Sequence, residues 1–469
     1  MDYISKIEKI EGLIVTLMQQ MKIPGLSISV VNDKKIVYSK GFGARLLAEN
    51  KPATAETLFG VGSVTKSFTA LAIMQLVEEG KLELDDPVSK YVPFKLGKKE
   101  KPILIKHLLS HSSGIPDLEA AVILIARHSW NKLEKYVPMS GPNDFYLYVN
   151  QAVEEVVANP GEKYFYLNTG FIMLGHIVEK ISGLKFDEYI KEKIFKPLEM
   201  QRTTFRKEEF EIEEDRMTAY ISEPEKSLEI TIHPFDELIY AAGGILSSVN
   251  ELGQYLIMNI NEGKYNNKQI IKPDLFRKLI EPRIDVADQF FGKYRYGFGW
   301  GITENFFGEA LIEHGGSTGM SSAHLAFLPK TKLGVAVAGN MGSVPGAIIT
   351  QAILMLLMDK NPQVDHPMIR LDSKLNQFVG EYQSYKGMSK LEIIKRGLTL
   401  YYKDPENEFP IAPLIAVSDD PTDYQFYMPL GHLKTPAEFT IDKESGKIDF
   451  YPGRNVYHKV GNIKKKKAN

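Results

Sequence analysis

A serine followed three residues later by a lysine can make a nucleophile. Positions i and i+3 share one face of a helix, so the amine can take the hydroxyl proton. The stretch FGVGSVTKSFTALAIMQL, residues 59–76, puts Ser63 and Lys66 at that spacing where an apolar helical run begins. A serine at a helix start also has free backbone N–H groups beside it, and its own N–H can donate to an oxyanion. The same position suits an ordinary capping serine. Spacing alone does not separate the two, because Ser-x-x-Lys recurs at Ser129 with Lys132 and at Ser182 with Lys185. Ser182 precedes Gly183 and reads as a turn at a helix end, while Ser129 lies in a polar, irregular patch.

Two further elements follow in order. NPGEKYFYLNTG holds Tyr166-Leu167-Asn168 in a turn that opens a helix, and LIEHGGSTG holds His314-Gly315-Gly316 at the end of a strand. Tyr-x-Asn also occurs at Tyr148 and Tyr265, and Lys332-Leu333-Gly334 fits Lys-x-Gly but reads as a hairpin turn after Pro329. Taken together, Ser-x-x-Lys, Tyr-x-Asn and His-x-Gly resemble the three signature elements of the serine β-lactamase and penicillin-binding-protein superfamily. The tyrosine version is similar to class C β-lactamases, D-alanyl-D-alanine carboxypeptidases and D-aminopeptidases. Supporting segments resemble that branch too: MKIPGLSISVVNDKKIVYSKGFG, IKHLLSHSSGIPD, AAGGILSSVNELGQYL, YGFGWGI and LPKTKLGVAVAGN. The resemblance covers roughly residues 5–358. Beyond it, LNQFVGEYQ looks like the start of the extra β-barrel in D-aminopeptidases and in a self-compartmentalising archaeal serine peptidase of this group.

The resemblance implies a role for each matching residue. Ser63 would attack a carbonyl and become acylated; Tyr166, with Lys66 nearby, would be base for Ser63 and acid for the leaving group. A tyrosine can do so near neutrality only where adjacent cations favour its phenolate. Asn168 would hold Lys66 or the substrate amide. The N–H groups of Ser63 and Ser317 would form the oxyanion hole, and Gly315 and Gly316 would let substrate lie along the strand edge. Class C β-lactamases carry lysine where this chain has His314, which is mostly neutral at pH 7, and that disfavours efficient β-lactam hydrolysis. The resemblance thus implies a serine peptidase or aminopeptidase acting on short peptides or amides, with D-residues among its substrates. The alternatives are a carboxylesterase of small acyl esters and a penicillin-recognising protein that acylates with weak β-lactamase turnover. It also implies no cofactor and a homo-oligomer. His107 and His111 stand at i, i+4 but lack the glutamate of a metalloprotease helix, so no metal is expected.

The elements that must position these residues can be read from periodicity. Ile7, Ile10, Ile14, Leu17 and Met21 fall at helical spacing, and LSISVV with KKIVYSKGFG forms a hairpin across Asn32-Asp33. Two helical patterns fill residues 118–158, another starts after Asn168, and ALIEHGGSTG, SAHLAFLP and LGVAVAGN read as strands before the helix GAIITQAILMLLMD. Strands gathered at both ends with a helical middle predict an α+β fold, an antiparallel sheet flanked by helices; the resemblance adds an all-helical subdomain. The expected domains are a hydrolase domain over 1–362, a small antiparallel, lipocalin-like β-barrel over 371–462, and a basic tail over 463–469. DKNPQVDHP, residues 359–367, reads as a linker. Substrate choice is expected from residues 118–158 and from Tyr296 to Trp300.

Composition narrows the partners. A net charge of −2 gives no global pull toward nucleic acid or anionic lipid. The absence of cysteine removes thiolate nucleophiles, disulfides and cysteine metal sites. Glu8 and Glu11 interrupt any signal-peptide core, and no apolar run is long enough to span a bilayer, so the expectation is a cytoplasmic protein that does not contact membranes.

Overall fold

The structure is a computed structural model, and it describes residues 3–97, 100–129, 139–221, 228–405, 411–418 and 423–463. Lys132 and the lysines of the basic tail lie outside the described residues. The chain divides into two compact units, Met1–Leu357 and Met358–Asn469.

The first unit is built on a nine-stranded sheet. Its strands are β1 (Gly25–Asn32), β2 (Lys35–Leu46), β3 (Lys51–Pro52), β4 (Ile284–Gln289), β5 (Gly292–Tyr296), β6 (Gly301–Phe306), β7 (Glu309–Ser317), β8 (Ser322–Leu328) and β9 (Leu333–Gly339). The spatial order is β4-β5-β6-β7-β8-β9-β1-β2-β3, antiparallel throughout. The N-terminal hairpin therefore joins the C-terminal strands, with Leu26 opposite Gly339 and Asn32 opposite Leu333. Strands β8, β9 and β1 are buried nearly end to end, as a sheet covered on both faces requires. One face meets α4 (Val249–Ile260), where Leu256 and Ile260 pack on Gly334. The other meets α5 (Gly346–Leu357), and α1 (Tyr3–Met21) packs against α5.

The helical region surrounds α2 (Thr65–Glu78), in which every side chain from Thr65 to Met74 is buried. A helix apolar on all sides is a central one, and α3 (Asn168–Ser182) packs beside it. Its depth decides the chemistry, because Lys66 must sit where water does not reach.

The expected antiparallel sheet with helices on both faces is present. The strands β4 and β5, absent from the reading of the sequence, carry charged and exposed residues such as Asp285, Asp288 and Lys293 and give no clean alternation.

The second unit is a closed eight-stranded antiparallel barrel running from Gly380–Gln383 to Tyr457–Gly461. Its interior is filled by side chains: Phe439 stacks on Phe378 at 4.2 Å and on Phe450 at 4.5 Å between ring centres. The segment read as a linker is instead helical, Pro362–Asp365 followed by α6 (Pro367–Phe378). Each begins on a proline, whose fixed φ suits the first helical position. Asn361 Oδ1 accepts the Gln363 N–H at 3.1 Å, and His366 Nδ1 accepts the Ile369 N–H at 3.4 Å. Within LNQFVGEYQ, where the barrel was expected to start, LNQF ends α6 and GEYQ is the first strand of the barrel. Among the described residues no helix is long and apolar enough to cross a membrane.

Candidate active site

Ser63 lies in a single 3₁₀ turn, Gly62–Val64, immediately ahead of α2. Lys66, in the first turn of α2, points back at it. Its Nζ lies 2.9 Å from Ser63 Oγ, 2.8 Å from Asn168 Oδ1 and 2.7 Å from the Ala242 carbonyl oxygen. The side chain is wholly buried. Burial disfavours the ammonium and brings Lys66 down to about 7, against the opposing pull of the Asp117 carboxylate. A neutral amine has two N–H groups and a lone pair. Two of the three neighbours, Asn168 Oδ1 and Ala242 O, are carbonyl oxygens that can only accept, so the lone pair is left for the Ser63 hydroxyl.

Tyr166 approaches from a segment pinned to the loop after residue 109. The N–H groups of Val157, Gly161 and Phe165 donate to the carbonyls of Gly114, Ser112 and His111 at 3.0, 2.7 and 2.8 Å. Its ring lies 4.9 Å beneath Lys66 Nζ, and its hydroxyl interacts with that of Ser63. Burial outweighs the hydrogen bond from Ser63 and raises the phenol above its ordinary value, so Tyr166 stays protonated in the resting site. The adjacent-cation route to a resting phenolate is therefore absent. Asn168 opens α3; its Oδ1 faces Lys66 while its Nδ2 donates to Asp117 Oδ2 at 3.4 Å.

Strand β7 supplies the opposite wall. His314 Nδ1 lies 2.7 Å from the Gly315 carbonyl, which can only accept, so the ring proton sits on Nδ1. Nε2 must then accept the Tyr296 hydroxyl at 2.8 Å. Burial lowers His314 to about 3, so the ring is neutral. Gly316 passes so close to the nucleophile's turn that a β-carbon there would stand 2.1 Å from Val61 O and 2.5 Å from Ser63 N. Gly62, at φ +53°, makes the reciprocal approach to Ser317 N. These two glycines let the backbones around Ser63 and Ser317 approach closely. Ser317 Oγ donates to the Gly342 carbonyl at 3.0 Å.

A cavity of about 510 Å3 opens over this arrangement. Ser63, Tyr166, His314, Gly315, Gly316 and Ser317 all line it, while Lys66 and Asn168 are not part of its lining and reach it only through the bond of Lys66 to Ser63. Tyr164 and Tyr294 complete an aromatic wall with Tyr166 and Tyr296. The other spacing matches lie elsewhere. Ser182 closes α3 and its Oγ accepts the Leu184 N–H, Tyr148 donates to the Leu118 carbonyl, and Lys332 sits in the turn between β8 and β9. His107 Nδ1 accepts the Leu104 N–H and His111 Nδ1 accepts the Leu167 N–H, so both rings serve the backbone. On the far side of β7, Glu313 accepts from Gln351 Nε2 at 3.0 Å and stands 3.8 Å from His324 Nε2. Burial raises Glu313 to about 7 and lowers His324 to about 3, so the imidazole is neutral and the contact is not an ion pair.

Five residues of the site were not assigned a place in it from the sequence: Ala242 through its carbonyl, Asp117, His111, Tyr164 and Tyr294. The carbonyl has no side-chain signal at all. The tyrosines do have one, since KYFY and KYRY each place two at i, i+2 on one face of an extended segment.

A serine and lysine at the head of a buried helix, a tyrosine above them and a glycine-bearing strand opposite define the β-lactamase-like and penicillin-binding-protein-like serine hydrolases. The chain belongs to the Beta-lactamase family, whose model matches residues 10–354. A second model, the Pab87 octamerisation domain, matches residues 362–458. The octameric penicillin-binding protein homologue from Pyrococcus abyssi is 39% identical, with a TM-score of 0.88, over 98% of this chain and 100% of that one. The penicillin binding protein from Bacillus halodurans is 25% identical, with a TM-score of 0.57, over 73% of this chain and 97% of that one. Among curated relatives, Protein flp from Staphylococcus aureus (strain MW2) is 28% identical over 351 residues, which are 72% of this chain. The human serine beta-lactamase-like protein LACTB, mitochondrial, is 25% identical over 364 residues, 64% of this chain and 66% of that one. The chain spans 63% of the length of Protein flp.

Proposed function

We propose that this protein is a serine peptidase that cleaves amide bonds of short peptides through an acyl-enzyme on Ser63, with D-residues among its substrates. The observation that carries the reading is the fully buried Lys66, whose amine faces Ser63 Oγ at 2.9 Å with carbonyl oxygens at its two other contacts. As Oγ bonds to the substrate carbonyl carbon, its proton passes to Lys66 Nζ. The N–H groups of Ser63 and Ser317 hold the oxyanion that forms. Tyr166 gives its phenolic proton to the departing nitrogen and takes one back from the Lys66 ammonium, and the C–N bond breaks. Water then attacks the ester carbonyl, losing its proton to the same Lys66 and Tyr166 pair, and Oγ recovers a proton as the acid leaves.

The lining favours an uncharged substrate. No lysine or arginine is among the described residues that line the cavity, and His314 is neutral with its Nε2 engaged by Tyr296. A carboxylate laid against β7 finds no permanent cation there, which argues against β-lactams and for amides flanked by apolar or aromatic groups against the tyrosine wall. An esterase is the second reading. The raised Tyr166 is a weak acid, and an alkoxide or phenolate leaving group asks less of it than an amine does.

We further propose that copies of this chain assemble through the second unit, as the name of its matching family model and the octameric relative suggest. Val417 and Leu433 are exposed on its barrel strands or their ends at 57% and 58%. Charging both, Val417→Lys with Leu433→Lys, should lower the mass measured by light scattering if those side chains are covered between copies.

The test of the activity is a panel of D- and L-amino-acid p-nitroanilides, p-nitrophenyl acetate and nitrocefin, run beside Ser63→Ala. The expectation is turnover of anilides and little of nitrocefin, with at least a ~10³-fold loss in the variant. Full activity of Ser63→Ala on any substrate turned over removes the nucleophile assignment. Ester turnover with no anilide cleavage selects the esterase.

A further inference from the structure

Tyr166 has to bring its hydroxyl to Ser63, yet residues 158–167 form neither a helix nor a strand of any sheet. A single residue brackets it. The His111 carbonyl accepts the N–H of Phe165 at 2.8 Å, and His111 Nδ1 accepts the N–H of Leu167 at 3.0 Å. These are the two amides on either side of Tyr166. Its imidazole also packs against the phenol, with ring centres 4.2 Å apart and planes tilted by 37°.

We propose that His111 is a positioning residue for Tyr166, fixing the backbone before and after it so that the phenol reaches Ser63. This rests on the reading that Tyr166 relays the proton during acylation. Three features make His111 more than a packing residue. It holds a left-handed backbone, φ +54°, which strains a β-carbon-bearing residue and which glycine or asparagine would relieve. A turn alone would be better served by either. What histidine adds is an acceptor on a ring long enough to reach across to residue 167. That acceptor fixes the tautomer, because Nδ1 can take the Leu167 N–H only with the ring proton on Nε2. Nε2 is buried and has no hydrogen-bond partner among the described residues, so no competing bond turns the ring away.

The experiment compares kcat, KM and the rate of Ser63 acylation in His111→Phe, His111→Asn and Tyr166→Phe on the best substrate of the panel. His111→Phe keeps a ring and loses the acceptor. Its kcat and acylation rate should fall at least about tenfold, with KM within about twofold. His111→Asn presents Oδ1 one bond from Cγ, where Nδ1 now stands, and tolerates left-handed φ; it should recover kcat to within about threefold. A residue that merely fills space would lower the melting temperature and leave kcat alone. Wild-type kcat in His111→Phe, with Tyr166→Phe inactive, overturns the positioning role while leaving that of Tyr166 intact. Wild-type kcat in Tyr166→Phe instead overturns the reading beneath both. Should His111→Phe not fold, His111→Gly suits the backbone and removes the acceptor alone; its kcat is read in the same two ways.

Discussion

Gly316 and Ser63 touch through their backbones: a β-carbon on Gly316 would lie 2.5 Å from the Ser63 nitrogen. Its other close neighbour, Val61 O at 2.1 Å, is also a backbone atom, so nothing flexible can move aside. Gly316→Ala should therefore push β7 from the nucleophile's turn and lower kcat/KM by at least ~100-fold. Gly315→Ala is the control. Its β-carbon would meet the His324 side chain at 3.1 Å, a contact that a small ring shift relieves, and it should keep activity within about tenfold. Steady-state kinetics with melting curves on both variants decides the matter; equal losses would mean that the close approach has no special place in catalysis.

The Lys66 amine must be neutral to accept the Ser63 proton, and burial places its titration near 7. Activity should rise about tenfold per pH unit below that value and level off above it, since the deprotonated fraction grows with pH. The measurement is kcat/KM against pH in buffers of constant ionic strength. A rate independent of pH between 5 and 7 would exclude Lys66 as the base.

Asp117 holds that titration up, because its carboxylate favours the ammonium of Lys66. Among the groups around Lys66, His111, His314 and Tyr166 are held neutral, which leaves Asp117 as the charge that matters. In Asp117→Asn the acidic limb should move to lower pH, because the ammonium loses the charge that favours it. Loss of the carboxylate that Asn168 Nδ2 faces should also lower the plateau. An unmoved limb would show that the carboxylate serves only the entrance of α3.

Glu313 gives a stability prediction of definite sign. Its carboxyl titrates near 7 in the folded chain and near 4.5 when exposed, so the folded state holds the extra proton between those values. Stability from this group is thus greatest at low pH and is lost as pH rises through the window. Glu313→Gln removes the penalty and should raise the melting temperature at pH 8.5, by an amount equivalent to about 1–3 kcal/mol, with a smaller gain at pH 5. Thermal denaturation at the two pH values measures it, and an equal shift at both would count against a buried, titrating carboxyl.

Several parts of this picture were readable from the chain alone. Ser63, Lys66, Tyr166, Asn168 and the His314–Ser317 run carry side chains or glycines at fixed spacing, and the structure gathers them around one cavity. The Ala242 carbonyl was invisible because any residue has one. The roles of Asp117 and His111 depend on a loop meeting a distant segment, as Leu167 N with His111 Nδ1 shows, and local spacing cannot report such a meeting. In the second unit the strands KLEIIKR and AEFTI show their alternation. APLIA and YHKVG do not, since their outward residues are apolar or mixed and a proline interrupts the first. The helices of 362–378 hid behind prolines, which signal a helix's first residue as readily as a linker.

The pairing of Leu26 with Gly339 has a consequence for how the protein is made. The first hairpin of the sheet leaves the ribosome with one edge unpaired, and its neighbour β9 follows only after most of the first unit has been synthesised. At about 5–20 residues per second that edge waits for tens of seconds. The central sheet can close only when nearly the whole unit is available, which ties the assembly of the serine's surroundings to the last strands rather than the first. A chain interrupted before Gly339 would carry Ser63, Lys66 and Tyr166 and still offer a bare, buried-type strand to any other nascent chain nearby.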